Sequence, residues 1–190
     1  MTFTESPLAG AYVVDLEPLR DERGFFARSY CAEEFAARGL GPELRQCSVS
    51  YNARTGTLRG LHYQCAPHEE HKLVRCTAGA IYDVIVDIRA SSPTYRRWFG
   101  AELTRDNRRS LFIPPGFAHG FVSLADETEV YYMISVAHAP QFSRGLRWND
   151  PAFAIAWPLV PLVISARDAA YPLLDASDGA VPDAAAPGGQ

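Results

Sequence analysis

Short strand-like runs separated by turn residues are the feature that most limits what this chain can fold into. Fourteen glycines and fourteen prolines are spread along its 190 residues rather than pooled in one linker. The runs between them are rich in Val, Ile, Tyr, Phe and Thr, which is typical of a β-sandwich or β-barrel. We predict strands at 11–16, 24–30, 46–51, 57–64, 72–77, 81–88, 98–103, 111–113, 120–124 and 129–136.

One strand and one helix have clear patterns of their own. Residues 82–88 alternate, with Tyr82 and Val84 on one face and Asp83 on the other. A short helix is predicted at 32–38, ended by Gly39 in a left-handed conformation. Residues 175–190 lose the apolar rhythm and are expected to be a disordered tail. We therefore predict one domain over residues 1–174.

Charge and composition exclude several classes of protein. The formal net charge is −4, so no global basic field favours nucleic acid as a partner. No run approaches the roughly 18 apolar residues of a membrane span, and the N-terminus does not resemble a signal peptide. The four cysteines show no C-x-x-C spacing and are expected to be reduced thiols. A cytoplasmic protein without a membrane or nucleic-acid partner is predicted.

The chemistry concentrates in three segments. These are 58–64 with the polar residues up to Lys72, then 113–121, and then 129–132 with the downstream stretches 148–151 and 165–168. In a strand, His62 and Gln64 share one face, opposite Arg59, and would point into a barrel lumen together. A lone strand histidine is more often a hydrogen-bonded core residue, and that alternative stays open at this point.

The same segments contain part of a metal-binding pattern. Pro114, Gly116 and His119 fit the second half-motif of a metal-binding cupin. The first half-motif needs a second histidine where this chain has Gln64, and a neutral amide is a poor transition-metal ligand. His68 and the residues around it fit a solvated loop better than a ligand pair. We predict no metal.

Taken in order, six stretches carry a family resemblance. They are 21–26, 56–64, 72–75, 83–89, 113–121 and 148–151. Over about residues 5–175 the sequence resembles the dTDP-4-dehydrorhamnose 3,5-epimerase family. The resemblance implies an all-β cupin jelly-roll (double-stranded β-helix) barrel with a few short helices. It also implies a nucleotide-linked 4-keto-6-deoxyhexose substrate, inverted at C3 and C5 through an enolate, with no metal or redox cofactor.

The same resemblance assigns roles to individual residues. His62 is the implied base, Asp168 the carboxylate that orients it, Tyr132 the proton donor on the opposite sugar face, and Lys72 a cation near the ketone oxygen. The implied substrate- and nucleotide-binding residues are Arg23, Phe26, Gln46, Ser48, Arg59, Gln64, His119, His138 and Arg167. Each has a structural alternative: for Asp168 it is a helix-capping residue after Ser165, and for Lys72 it is an exposed lysine at the end of a strand.

Two further expectations concern neighbouring residues. Tyr131 and Tyr132 are adjacent, so only one can face the cavity and the other should pack in the core. Asp83 is expected to enter the lumen and to help hold Lys72 or His62.

Four positions depart from the family pattern. Ser48 stands where Asn is usual, Arg28 where Glu is common, and His138 where an aromatic residue is expected; a Glu near Ser143 is absent. His138 lies on the implied sugar side, so a C3-only monoepimerase of a specialised deoxysugar pathway is the first alternative. The others are a ketoisomerase of the same fold, a metal-dependent cupin, and a catalytically silent sugar-nucleotide-binding protein.

The resemblance also implies a homodimer. Residues 11–30 are the expected exchanged element, which would bring Arg23 and Phe26 to the nucleotide held by the partner.

Overall fold

Two antiparallel sheets enclose the core of the computed structural model, which describes residues 1–40 and 43–174. The first sheet has the order β1 (Thr2–Glu5), β2 (Tyr12–Asp15), β10 (Ser110–Ile113), β7 (Lys72–Ala78), β12 (Thr128–Ile134), β5 (Gln46–Asn52). The second has the order β13 (Ser143–Gly145), β6 (Thr57–Gln64), β11 (Phe117–Ser123), β8 (Ala80–Asp87), β9 (Trp98–Thr104), and β14 (Val163–Ile164) runs parallel to β6. β3 (Leu19–Asp21) and β4 (Gly24–Phe26) form a separate hairpin.

The sheets pack face to face through apolar side chains. Val74 and Leu111 of the first sheet lie in one buried cluster with Ile85, Leu103 and Phe121 of the second. This is the sheet-on-sheet arrangement in which side chains of the two inner faces form the core. The all-β jelly-roll prediction is therefore confirmed.

Helices are few and short. α1 (Ala32–Ala36) and α2 (Ala166–Ala170) have five residues each, and a 3-10 turn spans Pro140–Phe142. In the part of the chain that the structure describes, no helix is long and apolar enough to cross a membrane. α1 is two residues shorter than predicted, and Gly39 has the expected left-handed φ of 71°.

The predicted strands are present with shifted ends. β6 matches its prediction, whereas β4 ends at Phe26 instead of residue 30, and β11 begins at Phe117 instead of 120. β1, β3, β13, β14 and α2 are not predicted from the sequence. The tail predicted to be disordered, 175–190, lies outside the described residues, so that prediction stays open.

β8 is buried on both faces. Val84 and Val86 pack outside the barrel against Leu146 and Phe153 of the chain that follows β13. The opposite face, which includes Ile85 and the fully buried Asp83, faces the interior between the sheets. The more uniformly apolar face of this strand is thus the outer one, because the C-terminal segment covers it.

A β-bulge in β6 changes which side chains face the interior. Arg59 pairs with Phe121 and His62 with His119, so Gly60 and Leu61 together oppose the single residue Gly120. Strict alternation would place Arg59 and His62 on opposite faces, as the sequence analysis expected. The extra residue shifts the alternation of side chains along β6 by one position, so that Arg59 and His62 line the same cavity.

Gly60 makes the bulge possible. Its φ is +128°, and a Cβ there would lie 2.5 Å from the Cα of Gly120. Only glycine fits this conformation and this close approach of two backbones.

Candidate functional site

A cavity of about 840 Å³ lies between the sheets. Its walls come from β5, β6, β7, β11 and β12, closed by the segment around β14 and α2. The predicted site residues that line it are Gln46, Ser48, Arg59, His62, Gln64, Lys72, His119, Tyr132, His138, Arg167 and Asp168. Its size suits a small-molecule ligand.

His62 and Asp168 form a hydrogen-bonded pair in this cavity. Nε2 of His62 lies 2.8 Å from Oδ1 of Asp168, and the backbone N–H of Gly60 donates to Oδ2 at 3.1 Å. The Asp168 side chain is only 6% exposed, while that of His62 is 39% exposed. The carboxylate is therefore fixed by the bulge, and the imidazole remains open to a ligand.

A short C-terminal element places Asp168. Val163 pairs with Thr57 at the start of β6, and α2 begins directly afterwards. Ser165 caps the helix: its Oγ accepts the backbone N–H of Asp168 at 3.0 Å. The capping residue is thus Ser165, and the Asp168 side chain is free to bind His62.

The pKa of the Asp168 carboxyl lies below its usual range. Burial alone would raise this pKa, but the hydrogen bonds from His62, Gly60 and Ser165 outweigh it. The group is thereby kept as an anion beside the imidazole.

A second histidine–carboxylate pair lies next to the first. His119, opposite His62 on β11, has its Nε2 2.7 Å from Oδ1 of Asp83, and both side chains are buried. Asp83 therefore enters the interior as expected, but it holds His119 and not Lys72 or His62. The pairing of His119 with Asp83 is not predicted from the sequence.

Tyr132 stands beside His119, with ring centroids 6.1 Å apart. Burial, followed by the charge of Asp83, raises the pKa of its hydroxyl far above the usual value, so the phenol stays protonated. Tyr131 points to the other side of β12, toward the exposed Cys47, and this neighbour raises the pKa of the Tyr131 hydroxyl. The expectation that Tyr131 packs in the core is wrong, because that face of the sheet is the outer one.

Lys72 is buried and paired with a residue that the sequence analysis did not single out. Its Nζ lies 2.7 Å from Oε1 of Glu70, and the two side chains are 11% and 12% exposed. The alternative of an exposed strand-end lysine is therefore wrong. The only sequence signal for Glu70 is its opposite charge two residues before Lys72.

Gln64 lines the cavity with its amide fully occupied by protein groups. Its Oε1 accepts the N–H of Ala139 at 2.7 Å, and its Nε2 donates to Glu70 and to the carbonyl of His68. Within residues 1–40 and 43–174, no three His, Cys, Asp or Glu side chains are grouped so that they could hold a metal ion.

The remaining polar residues of the cavity form its outer part. Arg59 donates to Oδ1 of Asn52 at 2.8 Å and to the carbonyl of Tyr51, so its guanidinium is anchored at the rim. Gln46 accepts the backbone N–H of His138 at 3.0 Å. Arg167 lies within 3.5 Å of Ser143 Oγ.

Arg23 and Phe26 are not brought to this cavity. They lie on the β3–β4 hairpin, where the Arg23 guanidinium binds Asp21 and Phe26 is 75% exposed. Neither contributes to the cavity wall of its own chain.

Comparison with known proteins gives one consistent family. The family model described as dTDP-4-dehydrorhamnose 3,5-epimerase matches residues 5–176. An enzyme of that name from Sinorhizobium fredii is 39% identical over 175 residues, which cover 92% of this chain and 90% of the relative.

Solved structures agree with this match. The dTDP-4-dehydrorhamnose 3,5-epimerase of Bacillus anthracis, with TDP and PPi bound, is 40% identical with a TM-score of 0.88, covering 91% of this chain and 99% of the other. ChmJ of Streptomyces bikiniensis, a 3'-monoepimerase in complex with dTDP-quinovose, is 30% identical with a TM-score of 0.81, covering 88% and 85%.

Proposed function

This chain belongs to the dTDP-4-dehydrorhamnose 3,5-epimerase family, and from that premise we propose how its cavity inverts C3 and C5 of a dTDP-linked 4-keto-6-deoxyhexose. The family match supports the epimerase interpretation over the ketoisomerase and metal-dependent cupin alternatives. The observation that carries the assignment of roles is that the His62–Asp168 pair, Tyr132 and Lys72 all line one cavity.

His62 is the base. The C4 ketone acidifies the hydrogens at C3 and C5, because the resulting carbanion delocalises into an enolate. Since the Asp168 carboxylate accepts from Nε2–H of His62, the lone pair of the neutral imidazole is left on Nδ1. Nδ1 takes the proton, and the Asp168 anion stabilises the imidazolium that forms.

Tyr132 is the acid that completes inversion. Epimerisation requires that the proton return from the face opposite the base. Tyr132 is on β12 of the first sheet, whereas His62 is on β6 of the second, so the two approach the cavity from different walls. The raised pKa of Tyr132 keeps its hydroxyl protonated until the enolate carbon draws the proton away.

Lys72 stabilises the enolate oxygen. An ammonium group offers three N–H donors, and the contact with Glu70 uses one of them. The others are available to the oxygen that gains charge in the transition state, in a partly dehydrated site where such help is strong.

The nucleotide is bound at the rim. Arg59 and Arg167 supply guanidinium groups for the diphosphate, and Gln46, Ser48 and His138 lie nearby in the same cavity wall.

A homodimer would complete the nucleotide-binding rim of the cavity. The exposed apolar side chains Leu19 and Phe26 on the hairpin, and Val49 and Tyr51 on the edge strand β5, are the kind of surface that a second chain covers. Arg23 would reach the nucleotide of the partner in that assembly. A cytoplasmic location also stays a prediction.

Inversion at C3 alone is the second candidate, and His138 is the observation that favours it. Its side chain is exposed at the cavity where the family pattern has an aromatic residue. The test is to give the enzyme dTDP-4-keto-6-deoxyglucose and to determine the configuration of the product by NMR. Inversion at both carbons is expected; inversion at C3 only would establish the second candidate, and unchanged substrate would contradict both.

A further inference from the structure

Glu70 links three parts of the cavity wall. Its Oε1 accepts from Nζ of Lys72 at 2.7 Å, and its Oε2 accepts from Nε2 of Gln64 at 3.1 Å. Oε1 of Gln64 accepts the backbone N–H of Ala139 at 2.7 Å, and Ala139 directly follows His138 in the chain. A continuous path of hydrogen bonds thus joins the start of β7, the end of β6 and the loop after β12.

We propose that Glu70 is a positioning residue for the epimerisation: it holds the Lys72 ammonium at the ketone end of the cavity and, through Gln64, fixes the loop that carries His138. The inference rests on the proposed function. Glu70 touches no reacting atom and acts through Lys72 and Gln64, which line the cavity.

Lys72 needs such a partner. A lysine side chain has four flexible carbons, and its compact charge is strongly hydrated in water. Here the side chain is almost fully buried, so its position depends on whichever anion compensates the lost hydration. Glu70 is the carboxylate in contact with it.

The arrangement requires a carboxylate and not an amide. Two donors, Lys72 Nζ and Gln64 Nε2, converge on Glu70. Gln64 cannot turn its amide over, because its Oε1 accepts from Ala139 and its Nε2 also donates to the His68 carbonyl. A carboxylate has an acceptor oxygen for each donor, whereas a glutamine at position 70 has only one.

Exchanging the side chains of Glu70 and Gln64 distinguishes the positioning role of Glu70 from an effect of side-chain size or of net charge. In the single variant Glu70→Gln, either Lys72 or Gln64 loses its acceptor. In the double variant Gln64→Glu with Glu70→Gln, the new amide can accept from Lys72 and donate to the new carboxylate, whose second oxygen accepts from Ala139. The net charge is that of the natural protein, but Lys72 then contacts a neutral amide oxygen, and the new carboxylate faces the His68 carbonyl without a donor between them.

The experiment measures kcat and KM for dTDP-4-keto-6-deoxyglucose with the full chain, alongside thermal unfolding of each variant. Glu70→Gln is expected to lower kcat by about 10- to 100-fold. The loss should be smaller than that from removing an oxyanion donor, because Lys72 itself is still present. KM should stay within about threefold, because the rim residues that bind the nucleotide are untouched. Glu69→Gln, an exposed neighbour with the same charge change, is the matched control and should behave as the natural protein.

The double exchange gives each donor an acceptor again but leaves Lys72 without a charged partner, so it should recover part of the lost kcat and not all of it. Glu70→Asp keeps the charge but is too short for both partners, and it should lose kcat as Glu70→Gln does; it replaces that variant if Glu70→Gln does not fold. A natural kcat in the single variants, or a rise in KM alone, overturns the inference. Turnover by the natural protein in the same assay reports on the proposed function separately, so the two failures are distinguishable.

Discussion

Nε2 of His62 lies 2.8 Å from Oδ1 of Asp168, although the two residues are 106 positions apart in the chain. Two local features bring them together. The bulge at Gly60 turns both the imidazole and the Gly60 N–H toward the carboxylate, and the parallel pairing of β14 with β6 places α2 against the same strand. Strand geometry therefore positions both members of the pair: the bulge in β6 orients His62, and the pairing of β14 with β6 places Asp168.

Asp168→Asn should lower kcat by about 100- to 10,000-fold. An asparagine offers one acceptor to two donors and no charge to the imidazolium, and amide replacement of a histidine's carboxylate partner costs up to about 10⁴ elsewhere. Steady-state kinetics measure the loss. Asp126→Asn, on an exposed loop, is the control, and equal activity of the two variants would contradict the role of Asp168.

Tyr132→Phe should separate proton removal from inversion. His62 still exchanges protons with the solvent, but no acid remains on the opposite face, so product formation should fall by about 100- to 10,000-fold. In D2O the recovered substrate should gain deuterium with its configuration retained. Tyr131→Phe on the outer face should behave normally; inversion at the natural rate in Tyr132→Phe would rule out this proton donor.

Asp87 should make the protein's stability depend on acid pH. Burial would raise the pKa of its carboxyl, but hydrogen bonds from Arg89, Ser92 and Thr94 lower it to about 2, from an ordinary 3.8. The folded-state pKa is depressed, so the stabilisation of about 2–3 kcal/mol is present above about pH 4 and is lost as the pH falls toward 2.

Chemical denaturation of Asp87→Asn as a function of pH checks this. The variant should be less stable at neutral pH, and the gap from the natural protein should narrow below pH 4. A constant gap across that range would show that the carboxylate charge is not the cause.

Gly60→Ala should be much more destabilising than Gly24→Ala. The two glycines have nearly the same φ, +128° and +130°, so the backbone strain of a side chain is similar. A Cβ at position 60 would meet the backbone of Gly120 at 2.5 Å, whereas at position 24 nothing lies within 4 Å. Thermal unfolding should show a loss at Gly60 that exceeds the loss at Gly24 by about 1–3 kcal/mol; equal losses would mean that the close approach is unimportant.

Local sequence patterns predicted the strands well, because alternation of apolar and polar residues and the presence of turn residues can both be recognised within a few consecutive positions. β6 and the placement of Asp83 inside the barrel follow from such patterns. The short strands β13 and β14 were missed because they are defined by pairing with β6, not by their own composition. The bulge was missed for a related reason: it appears only when Gly60 meets Gly120 across two strands.

Partnerships within the site were harder to predict than its members. The family resemblance named His62, Tyr132, Lys72 and Asp168, all of which line the cavity. It did not reveal that Asp83 binds His119 or that Glu70 binds Lys72, because such pairs depend on three-dimensional distance.

In the proposed mechanism, His62 removes the protons at C3 and C5. The most direct measurement is an incubation with dTDP-4-keto-6-deoxyglucose in D2O, following deuterium at both carbons by NMR, for the natural protein and for His62→Ala. Deuterium is expected at both carbons with the natural protein and at neither with the variant. Deuterium incorporation by His62→Ala at the natural rate would contradict it.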